Sequence, residues 1–271
     1  MLDTKAFSQL LRDDIMSSRE VEDVARALID AKGKAVAFTG AGISTESGIP
    51  DFRSPQGVWT KDPGAQERLS LDYFLSDPDE SWQDYIERFY SLMIKARPNL
   101  AHYALAKLEA MGLIEAVVTQ NIDRLHHKAG SKNVIELHGR YDEVQCLRCN
   151  FREDIEKYVS EFRKTSNAPR CPKCGFALKP AIVYFGEPLP EKELSNAFAL
   201  ARSCKVMLVI GSSLVVYPAA LLPETALQRG ARLFIVNLSP TRLDREAELV
   251  IREKASEFLP KVAEYLSSSQ I

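Results

Sequence analysis

The chain has 271 residues, 45% apolar and 27% charged; at roughly 150 residues per domain this is one or two domains with a sizeable core, which excludes a disulfide miniprotein and a disordered chain. Thirty-five Lys and Arg against 37 Asp and Glu leave a net charge of -2, which argues against a general electrostatic grip on nucleic acid or anionic lipid and leaves only a local basic patch as a route to either. Charges interrupt MLDTKAFSQLLRDDIMSSREVEDV every few residues, and no window reaches the roughly eighteen uncharged apolar residues of a membrane span, so the expectation is a cytoplasmic protein with no membrane partner.

In chain order, residues 20–32 place Val21, Val24, Ala25, Leu28 and Ile29 on one helical face, with Gly33 as a stop. Residues 35–38 are a short apolar run of the kind buried on both faces of a parallel sheet, and they lead into Gly40-Ala41-Gly42. Residues 48–97 mix turn formers, aromatics and charges without a buried strand, predicting a long loop and then helices around 70–95. Further apolar runs at 116–118, 134–137, 182–185, 206–210 and 233–236 alternate with helical patterns at 98–111, 190–201, 218–228 and 254–266. This alternation predicts an α/β fold, a doubly wound parallel sheet with helices on both faces. The last residues, SSSQI, are expected to fray, and no internal repeat is visible.

Residues 139–179 break the alternation and hold four of the five cysteines as Cys146-x-x-Cys149 and Cys171-x-x-Cys174, with 21 residues between the pairs. In a reducing compartment this spacing reads as two knuckles closing a tetrahedral zinc site. Four thiolates leave no open position, so one structural ion is expected, with no chemistry of its own. Cys204 is left over.

Gly40-Ala41-Gly42 begins a dinucleotide-binding turn, but Thr45 stands where a third glycine would be, and no second strand ends in an acidic residue about 20 positions on. Taken alone, the turn reads equally as a tight strand-to-helix connection without a ligand. His138 ends a predicted strand, which is where open α/β sheets place ligands; His102, His126 and His127 fall in helical segments and read as packed or solvated. Gln120-Asn121-Ile122-Asp123 follows another strand end. Such a cluster with an imidazole can hold and deprotonate a sugar hydroxyl, and Asp123 or Asn121 can at the same time cap a helix.

Together, GAGISTESGIPDFRSPQGVW (40–59), TQNIDRLHHKAG (119–130), ELHGR (136–140), the cysteine pairs, KPAIVYFGE (179–187), GSSLVVYPAA (211–220) and IVN (235–237) resemble the sirtuins, NAD-dependent protein deacylases, in the family's order over about residues 20–265. The resemblance implies a Rossmann-like domain (1–47, 113–138, 180–271), with an inserted small domain made of a cofactor loop and helical module (48–112) and a zinc ribbon (139–179). It carries over Gly40, Ala41, Thr45, Asp51, Phe52, Arg53, Gln120, Asn121, Asp123, Gly211, Ser212, Ser213 and Asn237 as NAD contacts. His138 is carried over as the catalytic base with Asn121 beside it, and Val183, Tyr184 and Phe185 as the strand on which an acyl-lysine peptide adds.

The implied reaction consumes NAD. The acyl oxygen attacks the nicotinamide ribose, His138 accepts a ribose hydroxyl proton, and the products are nicotinamide, free lysine and O-acyl-ADP-ribose. Tyr85 and Arg88, three apart, resemble the pair that some sirtuins use for succinyl or malonyl lysine, whereas Asp51 in GIPDFR has the form of ordinary deacetylases, so deacetylation is the expected principal activity. Desuccinylation, demalonylation and mono-ADP-ribosyl transfer are the alternatives that use the same pocket. Arg140, Arg148, Arg152 and Lys157 in the ribbon are diluted by Asp142, Glu143, Glu153 and Asp154, so at most weak, salt-sensitive nucleic-acid binding is expected. The oligomeric state is left open.

Overall fold

The computed structural model describes residues 19–268. Nine strands are assigned among them: β1 (Ala35–Thr39), β2 (Ala116–Thr119), β3 (Val134–Glu136), β4 (Gly139–Cys146), β5 (Arg152–Asp154), β6 (Leu178–Ile182), β7 (Val206–Ile210), β8 (Arg232–Val236) and β9 (Leu249–Ile251). Six of them form a parallel sheet in the order β3-β2-β1-β7-β8-β9. Every residue of β1, β2 and β7 is buried, as their uninterrupted apolar character requires. One face packs against helices Arg19–Asp30, Leu100–Ala110 and Ala255–Ser268 through Leu28, Leu105 and Phe258. The other packs against Glu191–Ser203 and Leu221–Gln228 through Ala197, Ala201 and Leu222. The sheet is therefore doubly wound.

The chain moves outward from β1 to β2 and β3, then returns to β7 on the other side of β1 and moves outward again. The reversal opens a crevice above the carboxyl ends of β1 and β7. There the two turns meet backbone to backbone: Gly40 N–H donates to Ile210 O at 3.0 Å and Gly42 N–H to Gly211 O at 2.8 Å. A Cβ on Gly42 would lie 2.7 Å from Gly211 Cα, so only glycine permits this approach.

The second sheet is antiparallel, in the order β5-β4-β6, and carries the helix Glu156–Thr165. It shares one core with the helical stretch Pro78–Tyr85, which continues through a π-helical turn, Ile86–Tyr90. Trp82 stacks on Phe162 at 5.9 Å and donates its indole N–H to Leu178 O at 2.7 Å, tying helix to ribbon.

The structure departs from the expected elements in three places. The run at 182–185 is not a strand of the parallel sheet: the strand is β6, shifted to Leu178–Ile182 and paired antiparallel with β4, which also places the boundary expected at residue 180 inside β6. The expected 48–112 module includes helix Leu100–Ala110, yet that helix packs on the large sheet, because Ala101, Ala104, Leu105 and Leu108 form an apolar face that this core covers. The short strand β9, half-exposed at two of its three residues, had no apolar run long enough to mark it. Expectations for residues before 19 and for fraying over 269–271 lie outside the described residues.

The two cysteine knuckles have matching geometry. Cys146 N–H donates to Phe151 O at 2.9 Å and Cys171 N–H to Phe176 O at 2.8 Å, and each turn passes through a left-handed residue, Asn150 at φ 55° and Gly175 at φ 73°. All four Sγ atoms lie within 4.8 Å of one another, with Cys146–Cys174 at 3.4 Å and Cys149–Cys171 at 3.5 Å. A tetrahedron with Zn–S bonds of about 2.3 Å has S–S edges of about 3.8 Å, so the donor set and its spacing fit one zinc ion. None of the four lines the crevice. Replacing Cys171 with Ala is expected to lose the metal and lower the melting temperature by about 5 °C or more, because metal binding is part of the folding free energy. Zinc content and a thermal scan check this; stoichiometric zinc with an unchanged melt contradicts it.

Candidate active site

A single cleft runs between the carboxyl ends of β1, β2, β7 and β8 and the small module. Gly40, Ala41, Asp51, Phe52, Arg53, Gln120, Asn121, Asp123, His138, Val183, Tyr184, Phe185, Gly211, Ser212, Ser213 and Asn237 all line it, although they come from segments up to about 200 residues apart. Thr45 does not line it; its hydroxyl donates to Gly42 O within its own helical turn.

His138 leaves β3 just before Gly139. Its Nδ1 lies 2.9 Å from Gln120 O, and since a carbonyl only accepts, Nδ1 carries the proton and Nε2 is the ring's basic nitrogen. Burial pushes its pKa below the ordinary 6.5, opposed by the Gln120 hydrogen bond, so the imidazole is neutral near pH 7.

Behind it lies a buried polar cluster. Asn121 Nδ2 donates to Gly40 O and to Ser44 Oγ, both at 3.1 Å, and Ser44 Oγ donates to Asp123 Oδ2 at 2.7 Å. Asp123 Oδ1 also accepts Leu125 N–H at 2.8 Å, so this carboxylate closes the turn that leads into the helix Leu125–Ala129 while lining the cleft. Burial raises the Asp123 pKa, opposed by these donors. His102, held at Nδ1 by Asn99 N–H in a capping box, reaches Ser44 Oγ at 3.5 Å. His126 Nε2 lies 3.0 Å from Thr39 Oγ1, which donates to Thr119 Oγ1 at 2.8 Å. Burial brings His102 down to about 4 and His126 well below its ordinary value, so both rings stay neutral.

The sequence reading treated His102 and His126 as packed or solvated. Packed is what the structure shows, but in direct support of Ser44, Asp123 and Thr39. Ser44 was missed, and the Asn99-x-x-His102 cap signature was the signal that could have pointed to this cluster.

The loop at 49–59 folds on itself. Asp51 Oδ1 accepts the Arg53 and Ser54 N–H groups, and Trp59 N–H donates to Phe52 O at 3.0 Å. Trp59, another missed residue, packs between Phe52 at 4.9 Å and Phe185 at 5.7 Å, with the Arg53 guanidinium 4.3 Å over its ring.

Tyr85 and Arg88 lie in different surroundings. Tyr85 is 1% exposed and donates its hydroxyl to Tyr141 O at 2.9 Å in the small-module core, outside the cleft lining. Arg88 does line the cleft, but its guanidinium is held by Asp84 at 2.5 Å and Asp62 at 2.7 Å, two carboxylates that it shares with Arg68. Arg88 lies in the π-helical turn Ile86–Tyr90, where α-helical spacing no longer applies. Phe185 has its backbone N–H and C=O occupied by Leu69 and Leu71, which leaves its 37% exposed side chain as its contribution to the cleft.

Residues 40–218 match the Sir2 family model. A protein named NAD-dependent protein deacetylase from Caldivirga maquilingensis is 50% identical over 88% of this chain and 91% of its own length. One named NAD-dependent protein deacylase from Pyrococcus furiosus is 48% identical over 85% and 92%. Among solved structures, a Sir2 protein with a p53 peptide and NAD+ superposes with a TM-score of 0.82 at 44% identity, covering 90% of this chain and 97% of that one. A Sir2 structure with a deacetylated p53 peptide and 3'-O-acetyl ADP ribose gives 0.84 at the same identity and coverage. With the glycine turn, the cysteine knuckles and His138 all inside the matched span, the chain belongs to the Sir2 family.

Proposed function

We propose that the chain is an NAD-dependent protein lysine deacetylase that converts acyl-lysine, NAD and water to free lysine, nicotinamide and O-acyl-ADP-ribose. The observation that carries this reading is a neutral imidazole, His138, fixed in its base-competent tautomer at the wall of a cleft that also holds a bare glycine turn. NAD supplies the leaving nicotinamide and the ribose that takes the acyl group. Gly40 and Gly42 line the cleft without side chains, which leaves room for the pyrophosphate, with Arg53 to offset its charge. Gln120, Asn121 and Asp123 face the ribose and nicotinamide, oriented by Ser44 and Thr119. Phe52 and Trp59 cover the reacting face and exclude water. Ser212, Ser213 and Asn237 hold the adenosine side. His138 Nε2 takes the ribose hydroxyl proton, and its Nδ1–H to Gln120 O disperses the charge that results.

The acyl-lysine peptide enters along 183–186, where Phe185 presents an apolar flank. Arg88 is already neutralised by Asp62 and Asp84, which favours uncharged acyl groups over succinyl or malonyl lysine. We place the protein in the cytoplasm, on its reducing-type cysteine pattern; no helix among the described residues is long and apolar enough to cross a membrane. Nucleic acid is not expected as a partner, because Arg140, Arg152 and Lys157 in the ribbon each pair with a neighbouring carboxylate.

His138→Ala is expected to lose about 100- to 10,000-fold in deacetylation while keeping its fold and NAD affinity. Only the neutral ring accepts a proton, so wild-type kcat/KM stays level above the lowered His138 pKa and falls as pH drops below about 6.5 through it. A pH series of NAD-dependent turnover, with mass readout of peptide and nucleotide, checks both; ADP-ribosylated protein with intact acyl-lysine would replace this reading.

Arg88→Met is expected to leave the ratio of acetyl to succinyl turnover unchanged on one peptide. A selective loss of succinyl turnover would show that Arg88 reads a carboxylate despite its two Asp partners.

A further inference from the structure

Lys179 is a charged residue with no exposed surface in the ribbon, and the chemistry above does not use it. It sits in β6, and its Nζ donates to Ile182 O at 2.5 Å and Pro180 O at 3.1 Å and pairs with Glu187 Oε2 at 3.0 Å. The same Glu187 oxygen accepts Tyr184 N–H at 2.8 Å, Glu187 N–H donates to Tyr184 O at 3.0 Å, and the ammonium lies 4.5 Å from the Tyr184 ring centre. Residues 182–187 are thus folded around one buried ion pair. That stretch supplies the Val183, Tyr184 and Phe185 wall of the cleft, and Val183 N–H donates to His138 O at 2.9 Å.

A buried ion pair gives little net stability compared with apolar residues of the same shape, so its value lies in the single geometry it permits. We propose that Lys179 and Glu187 form a positioning clamp that presets the peptide-binding stretch 183–186, acting on acyl-peptide recognition and not on NAD. This rests on the deacylase reading for the identity of the peptide, but the shape of the stretch is a property of the chain alone.

The groups facing the ammonium are Glu187 and Tyr184 from the clamped stretch and Arg152 from β5; Ser81 and Asp84 approach Tyr184 from helix Pro78–Tyr85. Burial brings Lys179 down from 10.5 to about 8, Glu187 opposing and Arg152 adding slightly. With a lowered folded value, the folded chain gives up this proton more readily than the unfolded one. Between pH 8 and 10.5, deprotonation therefore does not cost global stability through this group, but it removes the positive charge that pairs with Glu187 and one of the three N–H donors. The clamp is present below about 8 and released above it.

The test uses the zinc-loaded full chain and four variants: Glu187→Gln, Lys179→Arg, Lys179→Met, and Lys179→Met with Glu187→Met, the last leaving no buried charge unpaired. Amide hydrogen exchange over 183–186 is measured without ligand, and acetyl-lysine peptide KM and NAD KM are measured across pH. Glu187→Gln and the double variant are expected to exchange faster over 183–186 and to raise peptide KM about tenfold, the scale of one charge-assisted hydrogen bond, with NAD KM unchanged. Wild type is expected to show the same rise in peptide KM above pH 8 without a lower melting temperature, and Lys179→Arg, which keeps its charge, to remove that rise.

Unchanged exchange in the double variant, equal effects on peptide and NAD, or an alkaline rise that persists in Lys179→Arg each overturn the clamp. If Lys179→Met alone fails to fold, the double variant decides. If wild type consumes no NAD with any acyl-peptide, the functional reading has failed, and exchange over 183–186 still decides the clamp.

Discussion

The site depends first on a contact that has no side chain in it. Gly42 and Gly211 meet where the sheet reverses direction, and their backbones are so close that a Cβ on Gly211 would fall 2.4 Å from Ile43 N. This contact joins the turns after β1 and β7 and fixes the floor of the crevice that the reversed strand order opens. It also leaves bare backbone on the cleft side, where a pyrophosphate can approach. A bulkier residue at any of these positions would have to push β1 and β7 apart, against fully buried strands paired over five residues.

The second requirement is a polar interior whose histidines stay uncharged. Asn121, Asp123, Ser44, His102, His126, Thr39 and Thr119 are each at most 9% exposed, and such groups are tolerated only when hydrogen-bonded. Nearly all of their side-chain atoms are paired; His126 Nδ1 is a buried atom without a partner. Burial keeps both imidazoles uncharged, so neither places a cation behind the cleft. Two histidines and one carboxylate thus serve as hydrogen-bonding scaffolding, and His138 alone of the four histidines lines the cleft.

Legibility followed locality. Strands β1, β2 and β7 could be read because burial on both faces makes their apolar runs continuous, and the cysteine pairs could be read because a knuckle is a local turn. β6 was displaced because Lys179 and Pro180 break its apolar run, yet both are buried there by the Glu187 pairing and the ribbon packing, which are not local in sequence. The surroundings of Tyr85 and Arg88 were hidden for a related reason: three-residue spacing implies one face only in an α-helix, and the pairing of Arg88 with Asp62 is a tertiary fact. His102 and His126 looked ordinary because nothing in a helical segment announces that its histidine points into a buried hydroxyl cluster.

These constraints converge on the backbone of His138 and Gly139, the seam between the two lobes. The imidazole is tied to the large sheet through Gln120 O, while the carbonyl of the same residue accepts Val183 N–H from the peptide side. Gly139 at φ 77° then packs so tightly on β6 that a Cβ there would meet Ala181 O at 2.1 Å. Any shift of the ribbon relative to the sheet must therefore pass through the residue that carries the base. The cysteine cluster at the far end of the ribbon and the His138 side of the cleft are mechanically connected through β4, which runs from Gly139 at the seam to Cys146 at the first knuckle. A zinc held by those cysteines anchors one end of the strand whose other end begins beside the His138 imidazole, so it can shape the cleft without lining it.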